Sequence, residues 1–372
     1  MNIRKLALSI LDQVLLEKGF LSDLLLDIKS KVKEPDFRLL WTLCYGTLQR
    51  WFYLEQIAKN SVKTLKLKRK EKICTYMSLY QCIFLTRMPK YAIFNEQIAL
   101  AKSLSAHFAK FLDYLLHHFE PIDQRIFHPA LEKTLQKQLG KKTKEEIVEA
   151  FYQEPKLFFR EVGTKNMHPF TSKKLMPIAK DPTKYIQNPT PMNLFCALMD
   201  SPFKSILDLS ASPGGKTLLC RDFLHPKRLV SNDISEKKIK RLKENIKKYK
   251  IDCTTTEHLG QNYPLDPFDL VIVDAPCSNT GVLNKKPEAL FRYTKKHILE
   301  LTKLQLQLLD RAAKITTHSI LYMTCSILQE ENEALIRRFL KTHRFKIKKM
   351  ERILPDTQGN DGGFACALEK TT

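Results

Sequence analysis

The sequence predicts an α/β protein: an all-helical N-terminal domain followed by a doubly wound, Rossmann-like domain. Three observations predict it. From Ile3 to about Phe119 apolar residues recur at helical spacing, as in Leu8, Leu11, Leu15 and then Leu21, Leu24, Leu25, Ile28. In the second half, apolar runs end in polar residues, as in Ile206–Asp208, Leu229–Asp233, Phe268–Asp274 and Ile320–Ser326. Between the first two of these runs, Ser210-Ala211-Ser212-Pro213-Gly214-Gly215-Lys216-Thr217 reads as a tight turn opening a helix.

In the helical part glycine is scarce, with only Gly19 and Gly46 before residue 140, and Pro35 and Pro89 mark breaks between helices. Lys63, Lys66, Lys68, Arg69, Lys70 and Lys72 crowd one turn. They fit either a solvated loop face or a contact to phosphates. Trp41, Tyr45, Trp51 and Phe52 fall inside helical periodicity and are expected in the core.

Proline then becomes frequent, at Pro121, Pro129, Pro155, Pro169, Pro177, Pro182 and Pro189. A Lys-rich helix over 131–152 and a strand over 157–162 lie between them. This stretch is a structured linker or a small RNA-contacting module. The domain limits read from the sequence are 1–125, 126–186 and 187–372.

A strand that turns through glycines into a helix offers backbone N–H groups at the carboxyl edge of a sheet, where open α/β sheets bind nucleotide-like ligands. An ATP-type phosphate loop fails here, because its first glycine would fall on Ser210. An ordinary tight strand-to-helix connection stays open for this stretch alone. Asp233 ends the next strand, where a ribose diol is gripped; helix capping over 235–248 would also explain it. Asp274-Ala275-Pro276-Cys277 and Thr324-Cys325-Ser326 then place two cysteines at the ends of core strands, facing the crevice of the glycine turn. A thiolate can add to an activated carbon and later leave. Cytosine C5 is a poor nucleophile until a thiolate adds at C6, and an acid at N3 stabilises that adduct.

The totals bound the class. The 372 residues include 62 Lys plus Arg against 40 Asp plus Glu, a net charge of +22 that points to a polyanionic partner, nucleic acid ahead of membrane. No apolar run approaches the ~18–20 residues of a membrane span. Asp12 interrupts the N-terminal apolar stretch too early for a secretory signal. Nine scattered cysteines without a Cys-x-x-Cys pair argue against a disulfide framework or a metal site, and fit a cytoplasmic protein.

Two resemblances rest on these residues. Arg4–Ala7, Leu40–Leu48 and Tyr80–Pro89 resemble the NusB-type RNA-binding domain. Ser212–Thr217, Asp274–Val282 and Thr324–Ser326 with Glu330-Glu331-Asn332 resemble the RNA cytosine-C5 methyltransferases with two active-site cysteines, in particular the bacterial small-subunit ribosomal RNA methyltransferase B family. The likeness implies a class I methyltransferase fold, S-adenosyl-L-methionine as cofactor, 16S ribosomal RNA as partner and a monomer. It implies Cys325 as nucleophile, Cys277 for release, Asp274 and Lys216 beside the base, and Ser210, Ala211, Ser212, Pro213, Gly214, Gly215, Lys216, Asp233 and Asp274 around the cofactor. It also implies an RNA contact at Arg160. A tRNA cytosine-C5 methyltransferase and a non-catalytic RNA-binding assembly factor are the alternatives. The chain departs from the family pattern in several places. Gly260 stands where an acid near the adenine is usual, Asn284-Lys285-Lys286-Pro287 replaces an Arg-Arg-His-Pro run, and Thr316–Ser319 replaces a Gly-Gly turn.

Overall fold

The computed structural model describes residues 2–62, 65–171, 174–199 and 202–371. The chain divides into two units, one of residues 1–134 with 285–292, the other of residues 135–284 with 293–372.

The first unit is helical: Ile3–Leu15, Leu21–Leu26, Glu34–Gln49, Trp51–Ser61, Arg69–Phe84, Lys90–Leu104 and Ala106–His118. Asn2 and Ser105 cap the first and last of these by accepting backbone N–H groups of Lys5 and Phe108. Leu11, Leu25, Leu40, Leu43, Leu54, Met77 and Leu112 are fully buried in one core. Each such side chain contributes ~1.5–3 kcal/mol relative to exposure. Trp51 lies in that core, edge-on to Tyr76. Trp41 does not: it is 40% exposed. Positions 37, 40, 44 and 48 fill the inner stripe of its helix, leaving 41 at the margin, in contact with Phe37. Residues 285–292 pack with this unit through Phe291 against Trp51, and Lys286 and Arg292 over the Phe20 ring. In the basic turn, Arg69 and Lys70 pair with Asp12 at 2.5 and 4.0 Å, and Lys66, Lys68, Arg69 and Lys70 are all exposed. Lys63 lies outside the described residues.

The expected helix over 131–152 is two helices, Pro129–Leu139 and Lys141–Tyr152, divided at Gly140. Strands β1 (Leu157–Glu161), β2 (Met167–Phe170) and β3 (Lys184–Ile186) form an antiparallel sheet in the order β2-β1-β3. Arg160 on β1 cannot contact RNA. It is fully buried, pairs with Asp222 at 2.6 Å and donates to the Thr164 carbonyl. The residue is inside because Asp222 also accepts the Gly163 N–H and pairs with Arg221, so the acid collects donors from two elements.

The main sheet has seven strands: β4 (Ser205–Asp208), β5 (Arg228–Asp233), β6 (Thr254–Glu257), β7 (Phe268–Asp274), β8 (Thr316–Thr324), β9 (Phe345–Ile353) and β10 (Gly363–Lys370). Their order is β6-β5-β4-β7-β8-β10-β9, parallel except that β10 runs antiparallel to both neighbours. The chain winds outward from β4 in both directions, so the crevice of a doubly wound sheet opens between the ends of β4 and β7. Alternate residues of β7 serve two cores: Val271 and Val273 face the helices Lys295–Ile315 and Glu333–Leu340, while Leu270 and Ile272 face Pro189–Leu198 and Gly215–Phe223. Burial on both faces explains the unbroken apolar run. The helix Glu236–Lys248 buries only Ile239 and Leu242, so its lysines form a solvated face. Edge strand β9 is exposed over 346–351.

Removing the Arg160 charge should be costly. Arg160→Leu leaves the buried Asp222 to Arg221 and the Gly163 N–H alone, and we expect a loss of ~2 kcal/mol in urea unfolding. The pair Arg160→Met with Asp222→Leu should recover most of it; equal loss in both variants would contradict the ion-pair account.

Candidate active site

At the end of β4 the chain enters the turn 210–214. Gly214 adopts φ +108°, a left-handed conformation that favours glycine, and a Cβ there would meet Leu242 at 3.1 Å. The helix Gly215–Phe223 follows, its first N–H groups at the sheet edge. Asp208 is fully buried. Thr217 donates to its Oδ2 at 2.8 Å, while Oδ1 has no hydrogen-bond partner. Burial, with the nearby charges of Asp274 and Asp233, raises its pKa to about 7 against the opposing Thr217 bond and Lys216 charge.

At the end of β5, Asn232 and Asp233 hold the turns in place. Asn232 donates to the carbonyls of Leu209 and His258 and accepts from the His258 N–H. Asp233 accepts the Ser212 N–H at 2.9 Å and the Ile234 N–H at 2.7 Å, and Lys238 sits 3.2 Å from it. Ser235, not Asp233, is the helix N-cap residue. Beside this acid, Ile234 and Leu259 expose apolar side chains (54% and 46%). Gly260 is buried, and a Cβ on it would approach Leu308 Cδ2 to 2.7 Å, so a side chain here points into the core.

The ends of β7 and β8 lead to the two cysteines. Asp274 pairs in register with Met323, and the Ala275 N–H donates to the Met323 carbonyl at 2.9 Å. The two cysteines lie just beyond these positions, and their Sγ atoms are 3.1 Å apart. Cys325 is half-buried and its sulfur lies 3.2 Å from Asn279 Oδ1; Cys277 is buried. Asn279 itself has a left-handed backbone, which asparagine tolerates. Gly281 permits the close approach of the two turns: a Cβ would fall 2.5 Å from the Gly362 carbonyl oxygen and 2.7 Å from that of Cys325. Lys216 Nζ pairs with Asp274 Oδ2. Burial opposes the lysine's charge, but the charge and hydrogen bond of Asp274, with Asp208 and Cys325 behind it, win and raise its pKa. The contact with Cys325, burial and the charges of Cys325 and Glu331 push the Cys277 thiol up. Beneath both turns, Glu331 accepts hydrogen bonds from Ser278, Ser326 and Gln305.

Known proteins resemble this chain over nearly its whole length. The family model described as 16S rRNA methyltransferase RsmB/F matches residues 196–369, and the NusB family model matches residues 1–120. The second half of the chain is thus similar to the RsmB/F methyltransferase family, and the first third to the NusB family. A Proteus mirabilis (strain HI4320) protein named ribosomal RNA small subunit methyltransferase B is 28% identical, with 99% of each chain covered. An Escherichia coli (strain K12) protein of the same name is also 28% identical, over 91% of this chain and 90% of its own. Among solved structures, that of PH0851 gives a TM-score of 0.75 at 19% identity, covering 99% of both chains. A methyltransferase homolog from Pyrococcus horikoshii gives 0.55 at 20% identity, covering 65% of this chain and 95% of its own. These two likenesses concern the fold.

Cys325, Cys277, Asp274 and Lys216 come together at the ends of β7 and β8 and the start of the adjoining helix. Ser210 to Gly214 form the turn, Gly215 opens the helix, and Asp233 ties the turn to β5. Sequence reasoning gave no role to Asn279, Asn232, Ile234 or Leu259. The signal for Asn279 was only its place inside the Asp274–Val282 motif, two residues after Cys277. Glu331 was visible as part of a motif, but not as a buried acceptor.

Asp208 gives a pH test. Its folded pKa lies above that of the unfolded chain, ~3.9, so its contribution to stability is full below that value and is lost as pH rises through about 7. Asp208→Asn should therefore gain in melting temperature over the parent between pH 5 and pH 7 and hold that gain above it. A pH-independent difference in thermal melts would contradict the assignment.

Proposed function

We propose that the chain methylates C5 of a cytosine in 16S ribosomal RNA, using S-adenosyl-L-methionine and a covalent bond from Cys325 to C6 of the base. The observation that carries this reading is the pair of sulfurs 3.1 Å apart beside the Lys216–Asp274 ion pair. The residues fit the cofactor: an acid at the end of β5, a helix N-terminus behind the glycine turn, and exposed Ile234 and Leu259 as apolar surfaces for an adenine. When bound, that cofactor supplies an electrophilic methyl group.

The protein's part follows from its charges. Lys216 favours the thiolate of Cys325; as the thiolate adds to C6, a proton passes from Lys216 through Asp274 to N3, which leaves the adduct neutral. C5 becomes enamine-like and accepts the methyl group. A base then removes the C5 proton, the C5–C6 double bond reforms and the Cys325 thiolate leaves; Cys277 assists this release.

The two cysteines have distinct outcomes. Bisulfite sequencing of RNA from a deletion strain should show a mark lost from 16S RNA rather than from tRNA. Cys325→Ala should fail to restore that mark while keeping RNA and S-adenosylmethionine binding, and an active variant would overturn the nucleophile assignment. Cys277→Ala should accumulate a covalent enzyme–RNA adduct on a denaturing gel; its absence would remove Cys277 from the release step.

A further inference from the structure

Glu331 is fully buried, and no cation pairs with it among the described residues. A carboxylate in such a place is expensive unless donors surround it. Its donors are unusually placed. Oε1 accepts the Ser278 N–H and Gln305 Nε2–H, both at 2.9 Å; Oε2 accepts the Ser278 and Ser326 hydroxyls, both at 2.5 Å. Ser278 and Ser326 are the residues immediately after the two cysteines. Gln305 reaches on to the Pro276 carbonyl, immediately before Cys277. The Glu331 carbonyl accepts the Tyr322 hydroxyl at 2.8 Å, and Asn332 joins Thr324 to Ser326. One acid thus links both reactive turns to their supporting strand and helix.

We propose that Glu331 is a positioning residue that holds the Cys277 and Cys325 turns in register and places its charge beside Cys277. The proposal rests on the covalent mechanism above. The groups facing Cys277 are Cys325, Glu331 and Tyr322, with the Lys216–Asp274 pair beside Cys325. Three of the Glu331 links run to the Cys277 turn, through the Ser278 N–H, the Ser278 hydroxyl and Gln305, and one runs to the Cys325 turn through Ser326. Burial and the Glu331 charge favour the protonated form of Cys277.

The test reads protonation separately from catalysis. In the full chain carrying Cys325→Ser, iodoacetamide labelling of Cys277 is followed by mass spectrometry from pH 6 to pH 10. Glu331→Gln should move the labelling midpoint to lower pH and speed labelling at pH 8 by ~10-fold, corresponding to about one pKa unit. Glu331→Asp, which keeps the charge, should leave the midpoint near that of the parent while slowing methylation in the otherwise unsubstituted chain. An unchanged midpoint in a cooperatively melting Glu331→Gln protein overturns the proposal. Should that variant fail to fold, Ser278→Ala with Ser326→Ala removes both hydroxyl donors. Adduct yield in the Cys277→Ala chain should then drop by ~10-fold or more, as the loss of hydrogen bonds to a charged group implies, with S-adenosylmethionine binding kept. Undiminished adduct would equally overturn the proposal. Absence of any adduct with Glu331 intact would instead count against the covalent mechanism, and the labelling midpoints would still report on Glu331.

Discussion

The parallel pairing of β7 with β8 is the constraint on which the candidate site depends. Neighbouring strands lie about 4.8 Å apart, so two side chains that leave adjacent strand ends in the same direction start within reach of each other. Here Asp274 lies opposite Met323, and the chain needs only a short turn beyond each to bring sulfur to sulfur. A shift of one residue would turn alternate side chains to the other face and separate the two cysteines. The apolar cores on both sides of β7 prevent that shift, because Val271 and Val273 fit one core and Leu270 and Ile272 the other.

The same geometry gathers negative charge. β4, β5 and β7 are neighbours, and each ends in an aspartate. Two of the three have a lysine, Lys238 at Asp233 and Lys216 at Asp274. Asp208 has a hydroxyl instead, with no paired lysine among the described residues, and answers the crowding by holding its proton to about pH 7. The cationic cofactor proposed for this crevice gains from such an acidic rim, and the protonated third acid limits the repulsion.

Much of this was legible in the sequence, because short-range chemistry and strand periodicity carry it. Apolar runs ending in Asp233, Asp274 and Cys325 located three strand ends, and Gly214 marked a turn that other residues would strain. What was not legible depends on contacts between distant segments. The resemblance implied an RNA contact at Arg160, yet Asp222 draws it inside. Trp41 obeyed helical periodicity but sits at the margin of the buried stripe. Gly140 splits a helix whose composition looked continuous. Glu331 could be seen in the sequence, while its hydrogen bonds to Ser278 and Ser326 arise only after β7 and β8 pair.

Strand β9 carries a consequence for solubility. It closes one side of the main sheet, where an unpaired row of backbone groups would invite another strand. Lys346, Lys348, Lys349 and Arg352 occupy that strand. A second copy laid edge to edge would bring Lys348 and Lys349 against the same residues of its neighbour, a like-charge contact that opposes edge pairing.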